Sequence, residues 1–225
     1  MFKLKYQTKL KLFSIFRNFF KKFNLHIFYY KKQNYLKDFE VDNVIDVGVA
    51  EGTDFLLKEF PKAKFFFIEP NPFFFNFIEN NLLKKYNSRL FKVAAGNELG
   101  KKKFWSSEGF SSFYQRQDYK IKKEIEVNIS TLDEILKNDH LNGKNLLKID
   151  TEGFELEVLK GATKTLELIN YLVLELRLEN INTYNPSEII SFLYNKNFIF
   201  HKIIKINYTK NGISYMDVIF VKNKI

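Results

Sequence analysis

Cysteine is absent from the 225-residue chain, which excludes disulfides and thiolate metal sites and makes a reducing compartment, the cytoplasm, the expected setting. No apolar run approaches the ~18–20 residues of a membrane span, so the protein is expected to be soluble or at most peripheral to a membrane. The basic start MFKLKYQTKLKLF interrupts its apolar residues with lysines and has no small-residue cleavage site behind it, which argues against a secretory signal. The G-x-G-x-x-G turn of dinucleotide sites and the G-x-x-x-x-G-K-[ST] phosphate loop are both missing. The three histidines, His26, His140 and His201, have no ligand spacing and no metal is expected at them, although His201, on a late strand, is kept as a candidate acceptor contact.

What is present is apolar and aromatic: 45% of residues are hydrophobic and 26 are Phe, ample for the core of one α/β domain with an appendage. The formal net charge is +10, but residues 1–40 hold ten Lys or Arg against Asp38 and Glu40, so only +2 remains for residues 41–225. That distribution argues against a nucleic-acid partner for the main domain, and a composition rich in Lys, Asn, Ile and Phe is itself a bland source of basicity. Residues 1–40 read as a basic amphipathic helical arm, with Leu10, Phe13, Phe16, Phe20, Phe23 and Ile27 three or four apart. Such an arm either packs on its own domain, as its large aromatics suit, or makes peripheral contact with an anionic membrane.

From Val41 onward, short apolar runs alternate with amphipathic segments. Strands are expected at 44–47, 64–69 and 89–95, with helices at 53–60 and 71–85 between them. Residues 96–130 read as an antiparallel insertion with an exposed loop, EGFSSFYQ, whose Ser111 and Ser112 are candidate acceptor contacts. TLDE has capping-box spacing, so Asp133 and Glu134 are read as structural. The rhythm resumes with strands NLLKID and YLVLELRL, each followed by a helix, and closes with two strands flanking Asn211-Gly212, a hairpin signal. The fold class is therefore α/β, a doubly wound, mostly parallel sheet with a final antiparallel strand.

In such a sheet, ligands sit beyond the carboxyl ends of the strands. The stretch NVIDVGVAEG places Gly48 at one strand end, to let backbone approach a ligand, and Gly52 at the start of the next helix, to allow close packing. Glu69 ends the second strand 21 residues after Gly48, suited to accept from both hydroxyls of a ribose, with Asn71 and Ala95 beside the same crevice. Glu51 in the turn disfavours a phosphate, whereas Asp46 suits a cationic partner. S-adenosylmethionine carries both an ammonium and a sulfonium, so it is the expected cofactor. Asp150 ends the fourth strand and Glu152 follows in the turn. Either carboxylate can take the proton of a hydroxyl acceptor; alternatively Asp150 binds the donor's amino-acid end and Glu152 caps the helix. Glu175, ending the next strand, is a candidate acceptor contact, and the three acids together offer an alternative Mg²⁺ site that is not favoured.

VIDVGVAEGT, FFIEPNP, VAAGNELG, STLDEIL and above all LLKIDTEGFELEVLKGA followed by YLVLEL resemble, in order, the FkbM-type family of S-adenosylmethionine-dependent methyltransferases, over about residues 43–221. The resemblance implies a class I methyltransferase (Rossmann-like) sheet of seven strands, the last antiparallel. It also implies O-methylation of a hydroxyl, often on a sugar of a glycan or antibiotic, and hence a small-molecule or glycan acceptor. One departure is visible: the family often has Asn two positions after the first glycine, where this chain has Ala50. Two rival readings remain, an NAD(P)-dependent oxidoreductase on a related sheet and a non-catalytic basic binding module.

Overall fold

The short apolar runs form the strands of one sheet in the computed structural model, which describes residues 36–106, 111–114, 123–178, 184–210 and 212–223. The chain divides into two compact units, Met1–Tyr35 and Leu36–Ile225, and every described residue belongs to the second. Residues 1–35 of the expected helical arm therefore lie outside the described residues, as do Asn211 and residues 107–110 and 115–122 of the insertion, while residues 36–40 form a turn rather than a helix. The boundary falls earlier than Glu40 because Leu36 is already buried and Phe39 stacks on Tyr171 with ring centroids 4.3 Å apart.

In chain order the main sheet contains β1 (Asn43–Val47), β2 (Lys64–Ile68), β3 (Ser88–Phe91), β7 (Asn145–Ile149), β8 (Tyr171–Arg177), β9 (Phe198–Thr209) and β10 (Gly212–Lys222). Their spatial order is β3-β2-β1-β7-β8-β10-β9. Neighbours from β3 through β8 run parallel, while β10 is antiparallel to both β8 and β9. The seven-strand sheet with its antiparallel last strand is the expected class I methyltransferase arrangement. Phe65, Phe66 and Phe67 are all fully buried although they alternate in direction, because the centre of the sheet is covered on both faces. The strand order reverses between β1 and β7, which is where a crevice opens in a doubly wound sheet.

The connecting helices are shorter and more broken than the apolar periodicity predicts. Helix α1 spans Asp54–Glu59. The segment expected to be helical over 71–85 is α2 (Pro72–Phe77), started by Pro72 and continued as a π-helical turn over Ile78–Leu82. The helix expected after Gly153 splits into α4 (Glu155–Lys160) and α5 (Thr165–Leu168). Gly161 lies at the break, where an added Cβ would lie 1.8 Å from the carbonyl oxygen of Gly96, so the chain gives way to a close approach by the root of the insertion. Before these come α3 (Leu132–Ile135), whose N-cap Thr131 Oγ1 accepts from Glu134 N, and after them α6 (Pro186–Asn195), with a capping box on Asn185.

The strand expected at 89–95 divides as well. After β3, the two-residue β4 (Ala94–Ala95) leaves the main sheet and pairs parallel with β6 (Lys123–Ser130), which is antiparallel to β5 (Gly100–Ser106). The insertion is thus an antiparallel pair, as expected, anchored to the main sheet through β4. Asp133 has a structural role: its carboxylate accepts from the backbone N–H groups of Lys164 and Thr165 and from the hydroxyls of Thr163 and Thr165. Among the described residues, no helix is long and apolar enough to cross a membrane.

Candidate active site

The carboxyl ends of β1, β2 and β7 meet the insertion in a cleft of about 670 Å³, counted to its mouth. Its apolar wall includes Ile68, Phe74, Ala95 and Phe104, and its polar wall Glu69, Ser111, Asp150 and Glu152. A concave site with apolar walls and a few convergent polar groups is typical of small-molecule binding.

Glu69 is buried, and each of its oxygens accepts one backbone N–H: Oε2 from Ala50 at 2.9 Å and Oε1 from Asn71 at 2.8 Å. An ionised carboxylate has about four acceptor positions, so each oxygen keeps capacity for one hydroxyl of a diol. Burial pushes the Glu69 pKa up to about 7, against the two N–H bonds that favour its charge. A folded-state value above the unfolded 4.5 means the folded protein holds the proton longer, so Glu69 lowers stability as pH rises through that window. Hydroxyl donors from a bound ribose select the ionised form. Affinity for S-adenosylhomocysteine is therefore expected to rise about ten-fold from about pH 6 to pH 8, measured by calorimetry. A flat profile would place the ribose elsewhere.

Gly48 and Gly52 both have the left-handed φ that favours glycine, +79° and +100°. The reason for Gly48 differs from the expected one: its Cβ would lie 1.9 Å from the Asp150 carbonyl oxygen, so the room is needed by the protein's own strand tip, while its backbone still lines the cleft. Gly52 packs against Leu57 and Leu82 behind the cleft, in line with close packing. Ala50 also adopts a left-handed φ of +47°, a region in which Asn is among the better tolerated side chains.

Two expected donor contacts are corrected. Asp46 does not face the cleft: it is buried beside its register partner Lys148, whose Nζ lies 3.1 Å from Oδ1. The cationic partner that Asp46 suits is thus a lysine of the same sheet. Lys148 also donates to the Gly48 carbonyl at 2.8 Å and lies 3.6 Å from Asp150. Burial opposes its charge, yet the facing carboxylates of Asp46 and Asp150 hold its pKa above the usual lysine value. Asn71 stands behind the cleft, its Oδ1 accepting from Phe73 N and Ser106 Oγ and its Nδ2 donating to Ser111 Oγ. It fastens the insertion to the start of α2.

Asp150 and Glu152 both line the cleft, with side chains 38% and 15% exposed. Glu152, at a left-handed φ of +55°, makes a close ion pair with the buried Arg177. The capping role considered for Glu152 falls instead to the buried Glu155, whose Oε1 accepts from Thr151 N, Gly153 N and Thr151 Oγ1. Glu175 joins Asp150 and Glu152, their ligand atoms all within 4.8 Å of one another. Arg177 Nη2 sits 2.8 Å from Glu175 and closer still to Glu152, so this cluster already carries a cation of its own.

Of the expected acceptor contacts, Ser111 lines the cleft, and Ser112 is buried, donating to the Glu152 carbonyl at 3.0 Å. His201 is placed at the wrong end. Strand β9 runs parallel to β8, so its first residues lie at the amino edge of the sheet, where Phe39 is 5.7 Å from His201 and stacks on Tyr171. Lys148, Glu155 and Arg177 were not singled out by sequence. A charged residue inside an apolar run, as in LLKID and LELRL, is the signal that marks two of them.

The methyltransferase FkbM domain matches residues 46–200. The chain belongs to the FkbM methyltransferase family. Its sequence is 32% identical over 149 residues to the hexuronic acid methyltransferase AglP of Haloferax volcanii, an alignment covering 63% of this chain and 59% of AglP. The chain thus spans about three fifths of the length of that curated relative. The crystal structure of an FkbM methyltransferase from Methylobacillus flagellatus KT superposes with a TM-score of 0.51 and 14% identity, covering 80% of this chain and 43% of that one. That likeness shows the fold. Membership disfavours the reading of this FkbM chain as an oxidoreductase on a related sheet, as does the missing middle glycine of the turn.

Proposed function

We propose that this chain is an S-adenosylmethionine-dependent O-methyltransferase whose acceptor is a hydroxyl of a sugar in a glycan or glycoconjugate. The observation that carries the donor assignment is the buried Glu69 carboxylate at the tip of β2, lining the cleft with acceptor capacity left on both oxygens. Ile68, Phe74, Ala95 and Phe104 would enclose the adenine, and the Gly48 backbone would lie along the amino-acid end. When bound, the donor supplies a methyl carbon already activated by its sulfonium. The protein's part is then to align the acceptor oxygen in line with that carbon and to receive its proton. Asp150 is the proposed base: it lines the cleft, is partly exposed and is not bound to Arg177. Glu152, tied to Arg177, is proposed to orient rather than deprotonate.

The sugar acceptor is supported by family membership and by the relative named a hexuronic acid methyltransferase. A hexuronic acid offers two kinds of oxygen, and a carboxylate acceptor would need no base. Product made with isotopically labelled donor on a hexuronide is expected to keep its label through mild alkali, as an ether does. Release of labelled methanol would mark an ester and move the acceptor to the carboxyl group. We further propose that the basic residues preceding Leu36 hold the enzyme, in the cytoplasm, near membrane-linked glycan intermediates. Liposome binding unchanged by replacing those lysines with glutamine would end that reading.

A further inference from the structure

A second cavity, about 270 Å³ counted to its mouth, opens at the carboxyl ends of β7 and β8 beside the middle of the antiparallel β10, and Asp150 lines both it and the donor cleft. Its other walls include Thr53, Phe55, Lys148, Glu175 and Asp217. Glu175 and Asp217 are register partners on adjacent strands, so their side chains share one face of the sheet. Two carboxyl groups placed opposite each other destabilise a strand pair, and although Glu175 is paired with Arg177, that pair does not account for Asp217. The neighbour that could neutralise Asp217, Lys205, is bonded to the Tyr215 hydroxyl at 2.9 Å, and no ion pair to Asp217 occurs among the described residues. Burial raises the pKa of both acids, that of Asp217 only to about 6, so near neutrality Asp217 mostly accepts while the more strongly raised Glu175 can donate, matching the dual character of sugar hydroxyls. Phe55, in the first turn of α1 and 38% exposed, gives the mouth an apolar ring face.

We propose that this cavity is the acceptor subsite and takes one neutral, hydroxyl-bearing sugar ring, with Phe55 against a ring face and Glu175 and Asp217 on adjacent hydroxyls. The inference rests on the donor lying in the neighbouring cleft. Charge disfavours a carboxylate substituent in this subsite: Asp217, with its pKa at about 6, is mostly ionised near neutrality, Lys148 is already paired with Asp46, and Arg177 with Glu152 and Glu175. If the acceptor glycan contains a uronic acid, its carboxylate therefore points away from these groups.

The test uses the full chain with S-adenosylhomocysteine and the methyl glycosides of glucose, galactose, mannose and glucuronic acid, read by saturation-transfer NMR and calorimetry. At least one neutral glycoside is expected to bind, more tightly than the glucuronide. Phe55→Ala and Asp217→Asn should each weaken that binding about ten-fold and change S-adenosylhomocysteine affinity less than about two-fold. Phe55 is partly exposed, so its variant remains informative even where Asp217→Asn fails to fold. Neutral glycosides that bind both variants as they bind the parent, or that do not bind at all, overturn the subsite, as does a preference for the glucuronide. A matching loss of S-adenosylhomocysteine affinity in the variants would assign the cavity to the donor's amino-acid end. Failure of the parent protein to bind S-adenosylhomocysteine is the separate result that removes the donor reading itself.

Discussion

Asp150→Asn is expected to lower turnover about 10²- to 10⁴-fold, the usual contribution of a positioned base, while S-adenosylhomocysteine binds as before. Asn keeps the shape of Asp but cannot accept a proton at neutral pH. Because the side chain is 38% exposed and its ion pair to Lys148 is long, at 3.6 Å, folding should be little affected. Two carboxylates compete for the role, and geometry separates them. Glu152 would have to surrender the Arg177 guanidinium before taking a proton, and Arg177 is itself only 3% exposed, so no water stands ready to replace that contact. Single-turnover rates with saturating donor decide the matter. A variant that turns over within about three-fold of the parent would hand the base to Glu152, and one that loses donor affinity instead would make Asp150 a donor contact.

The strands and the crevice residues were legible because buried parallel strands read as continuous apolar runs, and the residue that ends each run must lie at the binding edge. Gly48, Glu69, Asp150 and Glu152 are all found by counting to the end of a run, and all four line the cleft. Register was not legible. Asp46 and Lys148 are 102 positions apart, and only the pairing of β1 with β7 brings them side by side, so an acid that looked available to a ligand is neutralised within the sheet. The place of His201 was hidden for a related reason: a late strand can run toward the crevice or away from it, and β9 begins at the far edge because β10 is inserted antiparallel between it and β8. The breaks in the helices follow from contacts made at long range, such as Gly161 against Gly96, which local periodicity does not contain. The structural reading of Asp133 holds, but its partners, the backbone N–H groups of Lys164 and Thr165, lie 31 and 32 residues further on and are invisible to local spacing.

Lys148→Met should cost about 3–5 kcal/mol of stability, the range seen when one partner of a buried ion pair is removed. The pair is deep: the side chains of Lys148 and Asp46 are 7% and 1% exposed. Without the ammonium, Asp46 must either stay charged in an apolar surrounding or take up a proton, and the Gly48 carbonyl loses a donor at 2.8 Å. Size is nearly conserved by Met, so cavity formation contributes little, and the loss measured by urea denaturation reports charge. A second substitution tells the ion pair from general damage. Asp46→Leu added to Lys148→Met removes the stranded acid and should recover most of the loss, because a buried pair replaced by apolar residues of similar volume is often neutral or stabilising. Recovery of stability need not restore donor affinity, since the turn at Gly48 would still lack its lysine. A double variant that is stable yet binds S-adenosylhomocysteine about ten-fold more weakly would show that Lys148 serves the donor turn as well as the fold. A single variant costing less than about 1 kcal/mol would mean that water reaches Asp46, and the pair is not buried in solution.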